Sequence, residues 1–89
     1  MQLLMFERNI IYDVYLVADS KKQAFYRLMM VYDGIKYFVE KESGAAGKIL
    51  DRRQWPQPDR EKAGLVFARK LAEKLKVGRK RQYFLRKVA

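Results

Sequence analysis

The chain has 89 residues, about half of them apolar and 13% aromatic, and its twenty Lys and Arg against ten Asp and Glu leave a net charge of +10. That describes one small domain with enough apolar material for a core rather than a disordered chain. There is no Cys, no His and no Thr, and serine occurs only as Ser20 and Ser43, so thiolate chemistry, zinc-finger sites and Ser–His or Cys–His catalysis are excluded.

In chain order, the start Met1 to Phe6 is apolar but has no basic leader and no small-residue cleavage site. No signal peptide is expected, and the expected location is cytoplasmic. No apolar run reaches the roughly 18–20 residues that span a bilayer, so no membrane partner is expected. From Ile10 to Ala18, alternation predicts a strand with Ile10, Tyr12, Val14 and Leu16 on one face and Ile11, Asp13, Tyr15 and Val17 on the other. After the polar turn 19–22, Ala24 to Tyr32 reads as an aromatic-rich second strand. Asp33-Gly34 then signals a hairpin into a third strand, Lys36 to Lys41.

Ser43-Gly44-Ala45-Ala46-Gly47 reads as a tight glycine loop, followed by a fourth strand from Lys48 to Trp55. Pro56-Gln57-Pro58-Asp59 ends that strand and starts a helix. Ala63, Phe67, Leu71 and Leu75 draw its apolar stripe, and Lys62, Arg69, Glu73 and Lys76 lie opposite. Gly64 is expected to serve close packing of helix on sheet, because it otherwise costs about 1 kcal/mol relative to Ala. Gly78 is the expected C-cap, and Tyr83 to Val88 the closing strand. The order is β-β-β-β-α-β, an α+β domain.

The charge is not spread evenly. Residues 1–47 carry six Lys or Arg and six acids, while residues 48–89 carry fourteen Lys or Arg and four acids. One electropositive face and a polyanionic partner follow from that asymmetry. The candidate phosphate contacts are Arg52, Arg53, Arg69, Lys70 and the triplet Arg79-Lys80-Arg81, with Arg86-Lys87 as a further cluster. Trp55, between Arg52-Arg53 and the prolines, reads either as an anchor pinning the loop to the sheet or as a stacking platform for a base. Glu40 and Glu42 share a strand face and read as a solvated edge rather than an acid–base pair. The glycines form neither GxGxxG nor a P-loop. No catalytic residue, metal ligand or cofactor site is expected, and the chain is not expected to be an enzyme.

Several pieces in order resemble the WGR domain, which occurs in the DNA-dependent poly(ADP-ribose) polymerases and in smaller bacterial proteins. They are Phe25-Tyr26-Arg27-Leu28-Met29-Met30-Val31, then Asp33-Gly34 and Tyr37-Phe38-Val39, then Ala63, Phe67, Lys74 and Gly78, and finally Arg81-Gln82-Tyr83-Phe84-Leu85. The family's Trp-Gly-Arg-Val-Gly aligns on Ser43-Gly44-Ala45-Ala46-Gly47; both glycines are kept, and Ser43 and Ala45 replace the tryptophan and arginine. The resemblance covers residues 11–88. It implies a single WGR-like domain over residues 1–89, an antiparallel sheet of about five strands with one long helix packed across it. It also implies non-catalytic nucleic-acid binding, with DNA favoured over RNA and without the contacts that the family's tryptophan and arginine make. The alternative is a protein-interaction module that docks an acidic partner or self-associates through a sheet edge.

Overall fold

A computed structural model describes residues 8–19, 21–76 and 82–88. Four strands form a meander: β1 (Asn9–Ala18), β2 (Ala24–Tyr32), β3 (Tyr37–Ala45) and β4 (Lys48–Gln57). Helix α1 (Arg60–Leu75) then crosses one face of the sheet, and β5 (Tyr83–Val88) returns to pair with β1. The sheet order is β4-β3-β2-β1-β5, antiparallel throughout. Sixteen helical residues extend about 24 Å, and five strands span about 19 Å from first axis to last. One helix is therefore long enough to carry the chain from one sheet edge to the other. The predicted α+β architecture and element order are the observed ones.

Strand β2 is the centre of the sheet and is buried on both faces, which is why its sequence shows little alternation. Ala24, Tyr26, Leu28 and Met30 face the helix and join Val14, Leu16, Ala18, Val39, Tyr83, Ala63 and Phe67 in the core. Phe25, Met29 and Val31 are buried on the opposite, open face of the sheet. The expected helix stripe is borne out: Ala63 and Phe67 are buried, while Leu71 and Leu75 pack at the core margin.

Local chemistry explains the turns. Asp33 Oδ1 accepts hydrogen bonds from the backbone N–H groups of Ile35 and Lys36, both at 2.8 Å, and Gly34 takes a φ of 97°. Asp59 caps α1, its Oδ1 accepting from the Lys62 N–H at 2.8 Å.

Four expectations about local structure need correction. The segment 43–47 is not a loop. β3 continues through Ala45, and only Ala46-Gly47 turns, with φ of 52° and 80°. A bulge at Ser43/Gly44 lets Gly44 approach Lys48 so closely that an added Cβ would lie 1.8 Å from its carbonyl oxygen. Pro56 lies within β4 rather than at the helix start, on an edge strand, where proline is tolerated. A bulge between Ile10 and Tyr12 breaks the alternation of β1, so Ile10 pairs with Val31 on the open face while Tyr12 meets the Phe67 ring at 5.5 Å. Gly64 serves no close approach, since a Cβ there would meet nothing within 4 Å. The expected cap at Gly78 lies outside the described residues.

Candidate nucleic-acid interface

Alternation along β4 sends Arg53 and Trp55 to the helix side of the sheet, and Arg52 and Gln54 to the open side. Trp55 packs against the core margin beside its cross-strand neighbour Val39. The Lys70 ammonium sits over the indole, 3.6 Å from the ring centroid, within cation–π range. Arg53 and Arg69 lie near enough to Lys70 to lower its pKa, although the largest cause of that shift is desolvation. Arg53, Trp55, Arg69 and Lys70 are thus one cluster, built from strand β4 and the outer side of α1.

The cluster extends along α1 and across β3. Arg69, Lys70, Glu73, Lys74 and Tyr26 line a shallow cleft of about 270 Å³. Lys74 Nζ lies 4.6 Å from the Tyr26 ring centroid and 5.7 Å from that of Tyr83. Lys41, on the helix side of β3, is 5.7 Å from the centroid of the same Tyr26 ring. Its ammonium donates to Asp51 Oδ2 at 2.5 Å and to Ser43 Oγ at 3.0 Å. Asp51 also pairs with Arg53 at 3.4 Å, and the Lys41 hydrogen bond is the main reason its carboxyl sits below the usual carboxylate range. Among the described residues, Arg69 and Lys70 have no carboxylate within ion-pair distance. Within this cluster, among the described residues, five cations, Lys41, Arg53, Arg69, Lys70 and Lys74, accompany two carboxylates, Asp51 and Glu73.

Arg52 does not join them. It faces the other way, opposite Glu42 in the ladder, with its Nε 3.2 Å from the Glu42 carboxylate. The open face carries an alternating row across four strands. Asp13 takes a two-point contact from Arg27 at 2.8 and 2.6 Å, Arg27 reaches Glu42 at 3.5 Å, and Glu42 holds Arg52. That two-point contact with Asp13 raises the Arg27 pKa. Glu40 pairs with Arg8 and accepts from Gln54 Nε2 at 2.8 Å. Glu40 and Glu42 are therefore not a solvated edge: β3 is an interior strand, and each carboxylate is held by cations or amides. Arg79, Lys80 and Arg81 lie outside the described residues.

Sequence reasoning missed Lys41 and Lys74. Each carried a usable signal: Lys41 follows Val39 by two residues on one strand face, and Lys74 follows Lys70 by one helical turn. Among the described residues no helix is long and apolar enough to cross a membrane. No protein-family model, curated protein or solved structure matches this chain.

Proposed function

We propose that the chain is a non-catalytic, WGR-like nucleic-acid-binding domain, DNA favoured, that holds phosphates on the side of the sheet covered by α1. The observation that carries this reading is the convergence of Arg53 and Arg69 on Lys70, which lies over Trp55, with Lys74 and Lys41 continuing the positive track. Crowded cations raise one another's free energy, and a bound phosphate relieves that repulsion while releasing counterions from the nucleic acid. Trp55 serves as the anchor under Lys70 rather than as an open platform, because a base stacking on that face of the indole would have to displace the ammonium.

Fluorescence anisotropy with labelled duplex and single-stranded oligonucleotides over a range of salt concentrations tests the proposal. Three or four phosphate contacts give a log–log salt slope of about −3 to −4 on duplex DNA. Neutralising Arg53, Arg69 and Lys70 together, each to Gln, should weaken binding and flatten the slope, with the melting temperature little changed. Absence of binding to either oligonucleotide at 50 mM salt refutes it.

A second reading has its own observation. Phe84 and Leu85 are about half exposed on edge strand β5, and Leu50 is 72% exposed on the opposite edge strand β4, surfaces suited to strand addition by a protein partner. A stoichiometric copurifying protein would favour this reading, whereas a raised 260/280 nm absorbance ratio before nuclease treatment would favour nucleic acid.

A further inference from the structure

The open face of the sheet holds a second cleft, of about 420 Å³, lined among others by Tyr15, Phe25, Asp19, Gln23, Gly47 and Arg86. Its volume lies within the range of ligand sites. One wall is aromatic: the Tyr15 and Phe25 rings stack with centroids 5.6 Å apart and planes 8° from parallel. Phe25 is buried and fixes the pair, while Tyr15 is only half-buried. Opposite the rings, β5 makes a bulge. Tyr15 pairs with Lys87 and Leu16 with Leu85, which leaves Arg86 as the extra residue. A bulge re-aims a side chain, and here it adds the exposed Arg86 to the lining of the cleft beside the aromatic pair. Asp19 and Gln23, both exposed at the β1–β2 turn, add a carboxylate and an amide at the rim.

We infer that this cleft seats one unpaired base of a single-stranded nucleic acid, the base against the Tyr15–Phe25 pair and an adjoining phosphate on Arg86. The inference rests on the nucleic-acid reading and extends it to the sheet face away from α1. An aromatic wall accepts the flat face of any base, a neighbouring guanidinium takes its phosphate, and the rim carboxylate and amide can hydrogen-bond base edges. No polar or charged residue is buried among the described ones, whereas a site for a small free ligand needs precisely placed polar groups inside an enclosing pocket. An open cleft with exposed polar groups suits one link of a longer chain held mainly by charge.

The experiment compares a labelled ten-nucleotide single strand with a duplex by anisotropy at low salt, for the wild-type chain and for Tyr15→Ala and Arg86→Gln. Tyr15→Ala should weaken single-strand binding about tenfold or more and Arg86→Gln about threefold, while duplex affinity changes less than twofold. Arg86 is exposed, so Arg86→Gln carries the test if circular dichroism finds Tyr15→Ala unfolded. Unchanged single-strand affinity, or an equal loss on duplex and single strand, overturns the seat and leaves the α1-side reading standing. Failure of the wild-type chain to bind either oligonucleotide overturns both.

Discussion

A methyl group added at Gly44 would lie 1.8 Å from the Lys48 carbonyl oxygen and 3.0 Å from the Leu50 nitrogen. Both obstacles are backbone, so no side-chain rotation relieves the clash and the β3–β4 bulge must shift. Gly44→Ala is expected to cost about 2–3 kcal/mol, read as a lower midpoint in urea unfolding. Gly64 is the opposite case. A methyl group there enters open space inside a helix, so Gly64→Ala should gain about 1 kcal/mol, several degrees in melting temperature for a domain of this size. An unchanged or lowered midpoint would contradict that reading of the helix surface. Both glycines are equally visible in the sequence. What separates them is a neighbouring backbone brought close by the hairpin register, which no local pattern encodes.

At the scale of elements, two carboxylates tie strand connections and pairings to pH. Asp33 is held below the usual carboxylate range by the backbone N–H groups of Lys36 and Ile35 at the β2–β3 turn, and Asp51 by Lys41 between β3 and β4. Both folded values lie below the unfolded ones. Their stabilisation is therefore complete above the ordinary carboxylate range and is lost as pH falls through the lowered values. Thermal melts should show the loss below about pH 4, and the double variant Asp33→Asn, Asp51→Asn should show a shallower acid decline; an equally steep decline would rule these carboxylates out as its source. The second strand, the hairpin at Asp33-Gly34 and the helix stripe were legible because each follows from its own residues. The length of β3 was not. Glu42-Ser43-Gly44-Ala45 has weak strand propensity, and it is held extended by pairing with Ala24–Arg27 of β2.

At the scale of the molecule, the arrangement of the cations decides what they can do. Arg52 and Arg53 are neighbours in sequence, yet they stand on opposite faces, Arg52 held by Glu42 and Arg53 beside Lys70 and Trp55. If the helix side carries the phosphates, Arg53→Gln should weaken duplex binding about threefold while Arg52→Gln stays within about twofold. Equal losses in parallel anisotropy titrations would show that the two faces do not differ in this way. The sequence by itself determined the order of elements, the apolar stripe of α1, the aromatic-rich second strand, the excess of charge after residue 47 and the absence of the Cys and His that thiolate, zinc-finger and Ser–His or Cys–His chemistry need. Each of these depends on composition or on periodicity along the chain. Only the tertiary structure decided which cations stand together, that Lys70 covers Trp55, that Glu40 is paired with Arg8 and Glu42 with Arg27 and Arg52, and that a bulge adds Arg86 to a cleft beside Tyr15. Those outcomes depend on register and on the packing of the helix, which join residues far apart in sequence and separate residues that are adjacent in it.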